Sequence, residues 1–411
     1  MLGKLIGQLS GLTVIQAMAT LLPLLVVPHL MLTVGASGFG NFNKALLASS
    51  LLIPVLDMGF DLYAARQLAR KESQMNQLLG LHLQQRILMI FPAGVFFIAL
   101  TFSIPDFRVI SDLMLFGLLY AFITSLLPNW YFEGNKRFHI VQWSALSWKI
   151  IYTVLILWWV RQPEHESWVM AFNAAGGLAV LLFYLLKMRM EGVRPVWVSW
   201  KEVISSLRKN APIFITPMTT YLVTFVPSLI VSFLLTPLQF GYYAVVDRVL
   251  QIFRLPASML STVVYVQYNE LLKAGRRAFQ NFYITVTLLV LGGGMLGVGL
   301  LLLIETLILG LLTAGQIEAE VVLPYRILLW SGVFIIQRNH LQKLLLALNL
   351  ERALARVSII ALLMMPFLFY FAHEWGGDKA LYFSMLLYEL LFVSLLSWFS
   401  IKGIRALKVE V

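Results

Sequence analysis

The chain has 411 residues, 60% of them hydrophobic and 12% charged, with 31 Lys and Arg against 20 Asp and Glu. A soluble protein carries roughly twice that charged fraction, so too little polar surface is present to clothe two or three water-soluble domains. The mean hydropathy of +0.82 indicates a chain folded inside a bilayer. The lack of Cys leaves no disulfide framework, thiolate metal site or Cys nucleophile.

In chain order, the first candidate span is GLTVIQAMATLLPLLVVPHLMLT (Gly11–Thr33), whose one titratable residue is His29. About 20 such residues cross the hydrocarbon core. The run is too long for a signal-peptide core and lacks a small-residue cleavage site, so it reads as a retained anchor. Further spans fall at about 43–65, 78–102, 110–132, 139–160, 167–188, 211–235, 242–266, 282–304, 322–346, 354–373 and 380–402. The stretch ETLILGLLTAG from Glu305 either extends the ninth helix or lies re-entrant. The expected fold is an all-α polytopic membrane protein of about twelve transmembrane helices.

Loop charge orients the set. With the amino terminus cytoplasmic, inside segments hold twenty basic residues, among them Lys4, Arg70, Arg194, Arg277 and Lys408. Outside loops hold three, Arg108, Arg161 and Lys379. Basic residues are retained on the cytoplasmic side during insertion, so this asymmetry supports an even helix count with both termini cytoplasmic. It also accounts for most of the net charge of +11 through anionic lipid, with no nucleic-acid partner required.

A phrase recurs. LTVGASGFGNF (Leu32–Phe42) follows the first span and LTPLQFGYY (Leu235–Tyr243) the seventh, both on the outer side. Six helices separate the copies, an even number, so the halves enter the membrane with the same orientation. That predicts two six-helix lobes, 1–190 and 210–411, in a parallel pseudo-two-fold repeat. The linker 191–209 places Trp197, Trp200 and Val203 among Lys and Arg, as an interfacial amphipathic segment would.

Of the 31 basic residues, the loops leave eight inside the spans: Lys44, Arg86, Lys149, Arg248, Arg254, Arg326, Arg338 and Lys343. The embedded acids are fewer: Asp57, Asp61, Asp247 and Glu389, with Glu305 added if its stretch extends the ninth helix. A charge at mid-bilayer costs roughly 2.5–3.5 kcal/mol, so it faces a cavity or a partner. A net cationic interior suits a pyrophosphate and acidic sugars, which Arg binds bidentately and Lys as a point charge. Candidate substrate-binding residues are therefore Lys149, Arg254, Arg338, Arg248 and Arg86. Candidates for ion coupling or gating are Asp57, Asp61, Asp247 and His340.

Plainer roles compete with these. Lys44, Arg86, Arg326 and Lys343 lie near helix ends and can snorkel. Asp57 and Asp61 can pair with Arg66. Asp247 and Arg254 share a helix face but stand about 10 Å apart along the axis, so no direct pair is expected. His340 can be a hydrogen-bonded helix contact. Trp130–Tyr131, Trp158–Trp159 and Trp330 fit headgroup belts. Gly292–Gly294 with Gly297 and Gly299 reads as helix packing or a hinge, because no strand or GK[ST] makes it a phosphate loop. No cofactor or metal is expected.

The stretches LLPLLVVPHLMLTVGASGFGNF, DMGFDLYAARQLAR (Asp57–Arg70), LPNWYFEGNKRF (Leu127–Phe138), NAPIFITPMTTYL (Asn210–Leu222) and FGYYAVVDRVLQIFRLPASMLSTVVYVQY (Phe240–Tyr268) resemble, in order and spacing, the Wzx-type O-antigen flippases. These belong to the multidrug/oligosaccharidyl-lipid/polysaccharide exporter superfamily. Two positions depart from the pattern: Leu32 stands where relatives place Arg, and Val266–Tyr268 where they read Tyr-Pro-Arg. The resemblance implies a transporter, not an enzyme, in the bacterial inner membrane. It would move undecaprenyl-pyrophosphate-linked oligosaccharide between leaflets by alternating access, with polysaccharide polymerase machinery as a candidate partner. Flippases for capsule, exopolysaccharide or peptidoglycan precursors are alternatives. A drug/cation antiporter of the same superfamily would favour acidic cavity residues instead. A membrane glycosyltransferase would need a large outer loop or an Asp-x-Asp, and the sequence has neither.

The Cys-free sequence makes the topology directly testable. Val193→Cys and Ala278→Cys, beside Arg194 and Arg277, should react with a membrane-impermeant maleimide only after the cells are permeabilised. Labelling of either from the periplasm would reverse the assignment.

Overall fold

The computed structural model describes residues 15, 17–69, 75–272 and 275–407, apart from the side chains of 69, 211–213, 215–217, 220, 256–259, 262 and 263. Lys4, Arg70, Lys408 and the start of the first candidate span lie outside the described residues. Every regular element among those described is helical. This follows from the solvent: in hydrocarbon each backbone N–H and C=O must be satisfied within its own segment.

In chain order the membrane-directed helices are α1 (Ala17–Thr33), α2 (Gly35–Asp57), α3 (Met75–Ser103), α4 (Ser111–Gly134), α5 (Phe138–Trp159) and α6 (Glu166–Met190). Then come α7 (Trp200–Leu234), α8 (Pro237–Leu271), α9 (Arg276–Leu303) and α10 (Ala319–Ala347). The last helical stretch, Glu351–Ala406, is two helices, α11 and α12, joined at Gly377, whose φ of 63° and ψ of −159° are non-helical. Eight helices are long and apolar enough to span by length and composition, counting that stretch once. With α1, α7, α8 and the division at Gly377, the described residues provide the twelve expected. The Glu305–Leu312 stretch is a separate short helix, set off from α9 at Ile304.

The described residues form two compact units, the first running through Phe233 and the second starting at Leu234. The repeated phrase marks corresponding helix starts in the two halves. Gly35, at φ +73°, turns the chain into α2. Thr236 and Gln239 form a reciprocal capping box with Pro237 at the first helical position of α8, which satisfies two free amides. Phe39 and Phe240, shortly after each start, are both buried.

In the first unit α2 breaks after Asp57. Met58 and Gly59 take positive φ (46° and 74°), and the chain resumes as a helix at Phe60–Ala69. Gly59 also admits α7: a Cβ there would lie 2.9 Å from the Phe214 amide nitrogen and 3.2 Å from the Asn210 carbonyl. Behind the break lies an aromatic core of Phe60, Trp130, Phe132 and Tyr184, with Phe132 and Tyr184 centroids 4.6 Å apart. Trp130 and Tyr131 are 0% and 3% exposed, which overturns their reading as a headgroup belt. The helix Asn129–Gly134 turns both inward. Trp158, Trp159 and Trp330 are exposed, as a belt requires.

In the second unit, Gly294 and Gly297 on α9 face Val333 and Phe253, whereas Gly292, Gly293 and Gly299 face open space. The packing role therefore belongs to two of the five glycines.

The connection after α6 is strapped to its own unit. The Val196 amide donates to the Asn76 carbonyl at 3.0 Å, and Gln84 exchanges two hydrogen bonds with the Val198 backbone. Glu191 fastens the strap's start by accepting from the Tyr131 hydroxyl at 2.5 Å and Arg137 at 2.6 Å, with Lys187 3.8 Å away. Partial burial pulls the Glu191 carboxyl upward, but the Tyr131 hydroxyl, Arg137 and Lys187 together hold it below the usual carboxylate range. A depressed carboxylate stabilises the fold above the unfolded-state value, about 4.3, and that contribution fades as pH falls through the lowered folded value. Hydrogen exchange over 188–198 should therefore stay slow from pH 7 to pH 5 and quicken only in stronger acid. In Glu191→Gln it should be fast at every pH.

Candidate functional site

The embedded charges fall into one group on each side of the Phe233–Leu234 boundary. In the first unit Arg86 on α3 is fully buried. Its Nε donates to the Ser125 carbonyl at 2.8 Å, and its Nη1 to the Leu56 and Asp57 carbonyls at 2.9 and 2.8 Å. Its Nη2 donates to both Asp57 and Asp61, the latter at 3.0 Å. The carbonyls of Leu56 and Asp57 belong to the end of α2, where helical partners run out. Arg86 thus caps the break and neutralises both acids. This overturns two expectations: Arg86 does not snorkel, and Arg66 is not the partner of the aspartates. The sequence hid the pairing because Arg86 and Asp57 lie 29 residues apart on different helices.

His82, one turn before Arg86, joins this group unannounced by the sequence. Its Nε2 lies 3.1 Å from the Leu126 carbonyl, and its Nδ1 lies 4.0 Å from Asp61. Lys44 pairs with Asp106 at 2.5 Å and stands 4.5 Å over the Phe233 ring. Lys149 is half-buried on α5, with its ammonium 5.2 Å from the Trp148 ring and 5.9 Å from that of Tyr152. Both distances are within reach of a cation–π attraction.

In the second unit Arg338 on α10 and Glu389 on α12 are buried, 8% and 7% exposed. Arg338 Nη1 donates to both carboxylate oxygens, at 2.7 and 2.9 Å, and the guanidinium lies 5.2 Å over Phe392. On α8 Arg254 pairs with Asp247 at 3.8 Å. That corrects the expectation of no direct pair: two turns of rise are bridged because the Arg side chain reaches back along the helix. Gln251 lies between them, donating to Asp247 at 2.8 Å and accepting from Arg248 at 3.2 Å. Arg248, Gln251 and Arg254 are all half-exposed. Arg254 also acts electrostatically on Glu389, which links the α8 ladder to the buried pair. His340 lies 3.3 Å from the Tyr268 hydroxyl and 3.5 Å from Thr287. Arg326, paired with Glu305 at 2.8 Å, remains exposed.

Two kinds of charge result. Arg86 and Arg338 are buried and paired with carboxylates of their own unit. Arg86 has every guanidinium nitrogen engaged, whereas Arg338 pairs through Nη1 and its buried Nε has no partner among the described residues. Lys149, Arg248 and Arg254 keep part of their surface open. A fold of twelve membrane-directed helices carrying such charges defines a multi-pass membrane protein.

Residues 8–265 match the family model described as polysaccharide biosynthesis protein, and the chain belongs to that family. It is 22% identical over 270 residues to an Escherichia coli K12 protein named "Putative O-antigen transporter". That match covers 64% of this chain and 65% of the relative's length. Solved structures share the fold at low identity. A Vibrio cholerae MATE transporter superposes with a TM-score of 0.62 at 15% identity over 98% of both chains. An inward-facing MATE transporter of the MOP superfamily gives 0.68 at 13% identity, over 96% of this chain and 98% of that one. A Pyrococcus furiosus MOP transporter, described as having a binding pocket of reverse polarity, gives 0.63 at 12% identity, over 98% and 96%.

Removing one partner of a buried pair strands the other charge and costs about 3–5 kcal/mol, whereas replacing both with apolar groups is near neutral. Arg338→Met and Glu389→Leu should each lower the melting temperature in detergent, and the double variant should recover most of the loss. Additive losses would show that the two residues do not depend on each other.

Proposed function

We propose that this protein is a flippase that moves undecaprenyl-pyrophosphate-linked O-antigen oligosaccharide from the cytoplasmic to the periplasmic leaflet of the bacterial inner membrane. Both termini are cytoplasmic in this reading, and no bond is made or broken. The match to the polysaccharide biosynthesis family over residues 8–265 carries the proposal. The relative's name and the excess of embedded bases over acids support it.

In this reading Lys149, Arg248 and Arg254 present charge to the pyrophosphate. They are the embedded bases that combine a span-interior position with open surface. Arg86 and Arg338 serve the buried pairs of their own units, and protonation or ion binding at Asp57, Asp61, Asp247 or His340 would couple transport to a gradient. Lipid-linked units of capsule, exopolysaccharide or peptidoglycan precursor form the alternative substrates. An antiporter of drugs or cations shares the fold, but the basic interior argues against it.

The test is translocation of defined lipid-linked oligosaccharides in vesicles containing the purified protein. A charge-assisted contact is worth about 1.5–3 kcal/mol, so Lys149→Ala should lower transport about tenfold or more. Lys149→Arg should retain more activity than the Ala variant, since charge matters here more than shape. Wild-type export by Lys149→Ala would refute the cationic site. Export of drugs with no glycan movement would refute the flippase.

A further inference from the structure

Between α5 and α6, inside the first unit, lies a groove of about 430 Å³ apart from the buried ion pairs above, although Lys187 on its lining also stands 3.8 Å from Glu191. Its lining changes character along its length. Lys187 and His139 stand at one end, Ser144 and Ser147 follow, and Ile151 and Val180 line the far end. At 1.5 Å per residue, His139 and Ile151 are about 18 Å apart along α5, so the groove runs from the helix end toward mid-span. Trp148 closes the seam behind it by packing on Gly176, where a Cβ would approach the indole to 2.6 Å. At the rim, Trp143 and Phe183 are about half exposed, at 55% and 49%. The groove therefore opens sideways, toward lipid.

A slot serving acyl chains alone would need no polar end. Here the polar end joins an ammonium, an imidazole and the exposed Ser147 hydroxyl, while Ser144 already bonds Tyr184. Glu191 lies 3.8 Å from Lys187, but it is shared with Arg137 and Tyr131. With Lys136, Arg137 and Arg189 at the same helix ends, the mouth keeps a positive balance. By the loop-charge asymmetry this end faces the cytoplasm, where anionic lipid concentrates.

We propose that the groove binds an anionic glycerophospholipid of the cytoplasmic leaflet, with its phosphodiester at Lys187 and His139 and one acyl chain along Ile151 and Val180. Within the groove lining the titratable groups are one ammonium, Lys187, and one imidazole, His139, which match the single charge of a phosphodiester better than the multiple charge of a pyrophosphate. The site is thus a lipid site distinct from the transported substrate, and it stands whether or not the flippase reading does.

Native mass spectrometry of the full chain, titrated separately with dioleoylphosphatidylglycerol, dioleoylphosphatidylethanolamine and undecaprenyl phosphate, tests it. The first phosphatidylglycerol should bind more tightly than the first phosphatidylethanolamine. Lys187→Gln should weaken phosphatidylglycerol binding about fivefold, the worth of one basic residue near an anionic headgroup. Lys187→Arg should keep the binding, Ser147→Phe should block the slot, and Lys402→Gln on α12 should change nothing. Lys187 is solvent-accessible, at 36% of its side chain, so its variants should melt like the wild type. Equal affinity for the two phospholipids, or no effect of Lys187→Gln, would overturn the proposal. So would a preference for undecaprenyl phosphate that Lys187→Gln abolishes, which would assign the groove to the carrier lipid.

Discussion

The cost of placing charge in hydrocarbon organises this molecule. Arg86 illustrates the solution with five acceptor groups: the carbonyls of Ser125, Leu56 and Asp57, and the carboxylates of Asp57 and Asp61. The same side chain that neutralises two acids also satisfies the carbonyls freed where α2 breaks. A break with left-handed Met58 and Gly59 inside a membrane is tolerable only because buried donors replace the missing helical amides. The charge and the irregular backbone therefore explain each other.

Arg338 and Glu389 obey the same constraint with fewer acceptors. Their pairing joins α10 to α12, and the Phe392 ring covers the guanidinium face. Buried pairs seldom add net stability over apolar residues of equal size, so their retention suggests a role in specifying one arrangement. The α8 ladder of Asp247, Gln251 and Arg254 differs because its members keep open surface. That difference in exposure, more than the count of charges, separates groups able to meet a ligand from groups that hold the fold.

Much of the architecture was legible in the sequence. Helix number followed from apolar length, and the recurring Leu-Thr phrase marked helix starts that the structure builds with Gly35 in one copy and a capping box in the other. The embedded bases were legible as a set, since each interrupts an apolar run. Their partners were not. Arg86 with Asp57 and Arg338 with Glu389 are long-range pairs, and spacing along one helix carries no information about them. The Asp247–Arg254 contact failed for another reason: axial rise was compared with a contact distance, without the reach of an extended Arg. Trp130 was misread because an aromatic next to a loop resembles a belt residue until the chain is seen turning it inward.

Each buried pair lies inside a single unit, and this bears on any mechanism in which the lobes rock as rigid bodies. A pair formed across moving parts would have to be broken and desolvated afresh in each cycle, at several kcal/mol per stranded ion. Arg86 with Asp57 and Asp61, and Arg338 with Glu389, keep their partners whatever the lobes do. In the proposed flippase, the half-exposed Lys149, Arg248 and Arg254 are then the charges whose surroundings would change during transport. An anionic headgroup would interact most with groups whose solvation it alters, and least with guanidinium groups already paired with buried carboxylates. If the protein works as proposed, the electrostatic work of translocation falls on the half-exposed cations, while the buried pairs tie together the helices of their own units.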